Sequence, residues 1–230
     1  MIGVFDSGVG GFNSLSAIKI ALPLVDIIYL ADRENAPYGT KKKRELISLV
    51  SKGIDRLLCR GAGRVLLACC TASTVWSELD PFYKLRSMPI IGCVEKDVVG
   101  DEKTILVIAT ERTVKDGAFG RVIKNKSPET TVIEIPMQSL VLAVENGAKA
   151  GDLRKATYLE IKKIKELASE YNPDALVLGC THFSSVAGII GEALPGVKII
   201  NTAYLGGAAM AEELLASGIK VRERGKLIYM

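Results

Sequence analysis

Short apolar runs alternate along this chain with longer stretches in which apolar residues recur every three or four positions. The runs Ile2–Phe5, Asp26–Leu30, Arg64–Ala68, Pro89–Gly92, Thr104–Ala109, Thr131–Ile135, Ala175–Gly179 and Val197–Ile200 read as buried strands. The stretches Asn13–Ala21, Lys42–Arg60, Ser73–Lys84, Thr113–Lys124, Asp152–Glu170, Val186–Ala193 and Leu205–Ser217 read as helices. Two apolar stripes are plain: Ile47, Val50, Ile54, Leu57 and Leu58, then Leu159, Ile161, Ile164 and Leu167. Such alternation predicts parallel sheets covered by helices. The charged segment Val94–Lys103 has no period and separates two such sets. The expected fold class is α/β: two similar three-layer α/β domains with mainly parallel sheets and a ligand site between them. Residues 1–92 with 203–230 are expected to form the first domain, because a Lys226–Tyr229 strand can return to it; residues 93–202 are expected to form the second.

The chemistry concentrates at strand ends. Val65-Leu66-Leu67-Ala68-Cys69-Cys70-Thr71 and Leu176-Val177-Leu178-Gly179-Cys180-Thr181-His182 each run from a strand into a small residue, a cysteine and a threonine. Open parallel sheets hold ligands at the carboxyl ends of their strands. Cys69 and Cys180 are therefore candidates to address one ligand from opposite sides, an arrangement suited to moving a proton across a carbon. A helix start just beyond the strand favours thiolate over thiol. His182, the single histidine, stands two residues past Cys180, where it can tune or relay that thiol's proton. Glu145, in Ala143–Gly147, reads as a solvated residue at a turn, and Cys59 and Cys93 as small buried hydrophobes.

Two loops accompany the thiols. Asp6-Ser7-Gly8-Val9-Gly10-Gly11 joins a strand to a helix, and its backbone suits an anion of carboxylate size. It lacks the Lys-Ser/Thr pair of a Walker loop, and Asn13 occupies the third glycine position of a dinucleotide fingerprint. Asp6 reads as a turn cap or as the proton partner of a thiol. Ala36-Pro37-Tyr38-Gly39-Thr40 reads as a turn, or as a rigid loop offering backbone N–H groups and the Thr40 hydroxyl to a ligand.

Composition removes other classes. Hydrophobic residues at 48% exclude disorder. Thirty basic against twenty-six acidic residues leave a scattered net charge of +4, and Lys41-Lys42-Lys43-Arg44 opens a solvated helix, so no nucleic-acid partner is expected. Five cysteines without a CxxC pair, and one histidine, predict neither a disulfide framework nor a metal site. The chain enters a strand at once and has no apolar run of membrane-spanning length. A cytoplasmic protein with reduced thiols and no membrane contact is expected.

Ile2 through Gly11, Pro37-Tyr38-Gly39-Thr40, Ala68-Cys69-x-Thr71-Ala72-Ser73 and Leu178 through His182, in this order, resemble the glutamate racemases. These belong to the cofactor-independent amino-acid racemases. Weaker matches are Ala109-Thr110 with Thr113, and Val144-Glu145-x-Gly147. The resemblance implies inversion of glutamate at its α-carbon by two thiols, with no cofactor and no metal. It also implies a homodimer whose D-glutamate feeds peptidoglycan synthesis. Cys69 and Cys180 would be the catalytic thiols, helped by Asp6, His182 and Glu145. Ser7, Pro37, Tyr38, Gly39, Cys70, Thr71, Thr113 and Thr181 would surround the small amino-acid substrate. The chain departs from the family at Cys70, where asparagine is usual, at Phe183-Ser184 for Tyr-Pro, at Asn13 for threonine, and at Asn201-Thr202 for Asp-Ser. Cys70 removes an amide from the site. Racemisation of aspartate or another amino acid, and a non-catalytic amino-acid-binding protein, stand as alternatives.

Overall fold

The computed structural model describes residues 1–218 and 225–230, with residues 147–150 described by backbone alone. The first sheet has the order β4-β3-β1-β2-β9, all parallel: β1 (Ile2–Asp6), β2 (Ile27–Ala31), β3 (Arg64–Leu67), β4 (Ser87–Pro89) and, from the end of the chain, β9 (Leu227–Tyr229). The second has the order β6-β5-β7-β8, again all parallel: β5 (Thr104–Ala109), β6 (Thr131–Pro136), β7 (Ala175–Gly179) and β8 (Lys198–Asn201). Parallel neighbours require crossovers, and helices supply them. They are α1 (Phe12–Ala21), α2 (Lys43–Cys59), α3 (Cys70–Ser73), α4 (Pro81–Arg86), α5 (Glu111–Asp116), α6 (Ala118–Lys126), α7 (Gln138–Ala150), α8 (Leu153–Ala156), α9 (Tyr158–Tyr171), α10 (Ala187–Ala193) and α11 (Thr202–Ala216).

Strand periodicity divides the interior into three cores. On β1 and β2, Ile2, Val4, Ile27 and Tyr29 face one way, and Phe5, Ile28 and Leu30 the other. On β5 the same alternation sends Ile105 and Val107 to one side and Leu106 and Ile108 to the other. The Ile2 and Ile105 sets belong to one common core, completed by Ile18 of α1, Phe119 of α6 and Met210 of α11. The outer faces carry separate cores, under α2 for the first sheet and under α7, α9 and α10 for the second. Both sheets are thus covered on two sides, which is why their strands read as nearly unbroken apolar runs.

Several sequence expectations need correction. The expected Pro89–Gly92 strand lies earlier, at Ser87–Pro89, and Ile91–Lys96 forms 3-10 turns. Its neighbour β3 ends at Leu67, so the pairing Leu67↔Pro89 is the last one available. The single helix expected over Ser73–Lys84 is broken. Asp80 caps α4 by accepting the Phe82 N–H at 2.8 Å, and Pro81 occupies the first helical turn, where its missing N–H costs nothing. Thr113–Lys124 divides at Gly117, which adopts φ +68° between α5 and α6. Asp152–Glu170 divides at Thr157, between α8 and α9. Glu145 stands inside α7 rather than at a turn, because Met137, Leu140, Val141 and Val144 form one apolar stripe that packs on the second sheet. Cys59 is exposed at the end of α2 instead of buried. No helix among the described residues is long and apolar enough to cross a membrane.

Candidate active site

Each of β3 and β7 is followed, within two residues, by a cysteine in extended conformation. Cys69 (φ −76°, ψ 119°) caps α3, and Cys180 (φ −142°, ψ 137°) precedes the 3-10 turns of Thr181–Val186. Both thiols open onto one cavity of about 250 Å³. Of the residues expected at the site, Ser7, Pro37, Tyr38, Gly39, Cys69, Cys70, Thr71, Glu145, Cys180, Thr181 and His182 line it. Asp6 and Thr113 are fully buried behind that wall. A larger open groove of about 850 Å³ lies between α9 and α10, and none of the expected site residues lines it.

Ser7 Oγ lies 3.4 Å from Cys69 Sγ. Burial first, and the neighbouring Asp6 carboxylate second, push the Cys69 thiol up to about 12, which favours its protonated form. Cys70 is buried beside it, and burial holds its thiol well above the ordinary range. On the other side Cys180 Sγ lies 3.7 Å from His182 Nδ1, and His182 Nε2 lies 3.3 Å from Glu145 Oε1. Burial pushes the His182 imidazole down, but Cys180, Glu145 and Asp6 outweigh it and pull it up to about 11. One wall therefore carries a protonated thiol and the other a thiol beside a proton-holding imidazole.

The glycine loop binds an anion that belongs to the chain itself. Gly8 donates its N–H to Asp6 Oδ1 at 2.8 Å, and Thr181 donates its hydroxyl to Asp6 Oδ2 at 3.2 Å. Burial still raises the Asp6 carboxyl above its ordinary range. Gly10 passes so close to the second half that a methyl group there would meet Thr181 Oγ1 at 2.4 Å and His182 Nδ1 at 3.0 Å. Asn13, at the third glycine position, ties the same junction by donating to Gly10 O at 3.2 Å and Thr181 O at 3.3 Å.

The Pro37 loop follows a cis Ala36-Pro37 bond and is held by Tyr38, whose hydroxyl donates to Asp32 Oδ2 at 2.6 Å. Thr40 does not face the cavity as one reading of the loop expected. It is exposed, and its hydroxyl turns back to Pro37 O at 3.4 Å. Two hydroxyls of the wall meet a third behind it: Thr71 and Thr110 are 3.0 Å apart, Thr110 and the buried Thr113 2.9 Å, and Thr71 and Thr113 3.2 Å. Such a triangle can turn one O–H toward a ligand carboxylate while the other two stay hydrogen-bonded. Sequence reasoning left Gly8, Ala36, Thr110, Gln138, Val141 and Leu142 out of the expected site, although they line the cavity. The last three sit on α7, whose i, i+3, i+4, i+7 apolar stripe was a usable signal.

The Asp/Glu/hydantoin racemase family model matches residues 21–210. A glutamate racemase of Picosynechococcus sp. is 33% identical over 223 residues, covering 95% of this chain and 78% of that protein. The glutamate racemase structure from Francisella tularensis, in complex with D-glutamate, is similar with a TM-score of 0.85 and 25% identity, over 99% of this chain and 86% of that one. That from Thermus thermophilus, in complex with beta-chloro-D-alanine, gives 0.81 and 28% over 99% and 86%.

Proposed function

This chain belongs to the Asp/Glu/hydantoin racemase family, and from that premise we propose that it inverts the α-carbon of glutamate without a cofactor, by proton transfer between Cys69 and Cys180. The observation that carries the reading is one cavity with a thiol from the end of each sheet on its wall. The α-hydrogen of an amino acid is a very weak acid. Its removal needs a base on one face and a stabilised carbanion, and inversion needs an acid on the other face. Two thiols exchange those roles, so either enantiomer can enter.

The two sides begin unlike. Cys69 enters as the acid, held protonated by burial and by Asp6. A substrate ammonium beside it would offset the Asp6 charge and ease its ionisation in the reverse direction. On the other side His182, steadied by Glu145, takes the proton of Cys180, so Cys180 draws the α-hydrogen from one face while Cys69 gives its own proton to the other. The hydroxyl of Thr71 receives the α-carboxylate. Preorganised donors of this kind are worth about 3 kcal/mol each in well-studied acyl-transfer sites. The halves 1–92 with 203–230 and 93–202 supply the two walls. The enzyme works in the cytoplasm, where thiols stay reduced, as a homodimer whose D-glutamate enters peptidoglycan synthesis; the similarity to glutamate racemases supports this assignment.

The test uses L- and D-glutamate in deuterated water. Wild type is expected to invert both and to place deuterium at the α-carbon. Cys69→Ala and Cys180→Ala should each abolish inversion with the fold intact, while retaining exchange into one enantiomer only. Near-normal inversion in either variant would exclude the two-thiol reading.

A further inference from the structure

Most hydrogen-bonding side chains on the cavity wall are engaged with one another. Ser7 faces Cys69, Tyr38 donates to Asp32, Thr71 joins Thr110, Thr181 donates to Asp6, and His182 lies between Cys180 and Glu145. Gln138 differs. It opens α7, it lines the cavity, and its Oε1 is buried with no hydrogen-bond partner. Buried polar atoms of folded proteins are nearly always paired, and the exceptions ask for an explanation. Packing alone does not give one, since Val141 and Leu142 fill the same wall with apolar groups.

Position suggests what the carboxamide is for. A Cβ on Gly39 would come within 2.5 Å of Gln138 Oε1 and 3.1 Å of Thr110 Cβ, so the bare glycine leaves room for the amide against the Pro37 loop. Glu145, seven residues further along α7, reaches His182 and through it Cys180. Seven helical residues rise about 10 Å. Gln138 therefore stands two helical turns from Glu145, against Gly39 and near Thr110. With an α-carbon between the thiols, a ligand's far end can extend toward it. Oε1 is turned against Gly39, and in the planar carboxamide the N–H group points the opposite way, as the donor left for a ligand. We propose that Gln138 determines specificity by donating its side-chain N–H to the distal carboxylate of a dicarboxylic amino acid. This rests on the racemase reading above and adds the group that reads the substrate's far end.

The experiment compares wild type with Gln138→Leu, Gln138→Glu and Gln138→Asn, using L-glutamate as probe, with kcat and KM measured separately and a thermal melt for each protein. Loss of a contact made equally in ground and transition states raises KM and spares kcat. The leucine variant should raise KM about tenfold or more, as expected for a hydrogen bond to a charged group, with kcat within about twofold. The glutamate variant, which sets a carboxylate against a carboxylate, should raise KM further. A structural residue would not order these two variants by charge. If the leucine variant fails to fold, the asparagine variant carries the same readout with the amide one methylene short. Unchanged KM in folded variants, or a fall in kcat alone, overturns the proposal while wild-type α-deuterium exchange leaves the racemase reading standing. No exchange by wild type with glutamate or aspartate overturns both.

Discussion

Replacing Gly10 by alanine tests how the two halves meet at the site. The new methyl would lie 2.4 Å from Thr181 Oγ1 and 3.0 Å from both the backbone N and Nδ1 of His182. Ordinary contacts begin near 3.5 Å, so the Thr181 hydroxyl must retreat by about 1 Å. Its bond to Asp6 Oδ2 is already 3.2 Å long and does not survive that shift. Overpacking and a lost bond to a buried carboxylate together cost about 2–4 kcal/mol. For a chain of this size the melt should fall by on the order of 10 °C. His182 is displaced relative to Cys180, and a misplacement of about 1 Å can cost about a hundredfold in rate. Circular dichroism follows both racemisation and unfolding. Gly188→Ala is the control, because a Cβ there meets nothing within 4 Å, and alanine within α10 should raise stability by about 0.5–1 kcal/mol. Wild-type melting and racemisation within twofold for Gly10→Ala would refute the reasoning.

Asp6→Asn should lose racemisation yet melt no lower than wild type at pH 8. Burial raises the Asp6 carboxyl above its unfolded value of 3.8, so the folded state holds that proton more tightly, and stability falls as pH rises from 3.8 through the raised value. Asparagine removes this penalty, and its advantage should shrink as pH falls toward 4; a lower melt at pH 8 would contradict the sign. Cys70→Asn should raise kcat/KM on glutamate by up to about tenfold, the worth of one net hydrogen bond. A lower melt without that gain would mean that Cys70 serves only to pack against the core around Ile90 and Ile91.

The strands were legible because both sheets are buried on two faces, which leaves continuous apolar runs such as Ile105–Ala109. Helix breaks were less so. Gly117 and Thr157 stop α5 and α8 without disturbing the apolar period that continues beyond them. Helix α7 was missed for a different reason: Ala143–Gly147 read as a turn, yet that glycine lies within the helix backbone. That omission also hid Gln138, Val141 and Leu142, and left Glu145 without its partner His182. The two thiols and the loops after β1 and β2 were readable, because each lies next to a strand end where a parallel sheet holds ligands. Asp6 and Thr113 were expected at the site, but the sequence held no sign that they lie behind the cavity wall.

Tyr229 of β9 stacks on Phe12 and Tyr29, with ring centroids 5.8 and 5.6 Å away, and Tyr29 donates its hydroxyl to Gly8 O at 2.9 Å. Lys226 N binds Asp26 Oδ1 across 200 residues of sequence. Closing so long a loop costs about 2 kcal/mol more than closing one a tenth of its length. Contacts of such separation belong to the late stages of folding. The glycine loop that carries Ser7 to Cys69 is backed locally by Tyr29, which stacks on Phe12 at 4.5 Å, and Tyr229 extends that stack from the far end of the sequence. The candidate pocket and the end of the sequence are therefore mechanically joined: a change in β9 is felt, through one ring stack, at the loop beside Cys69.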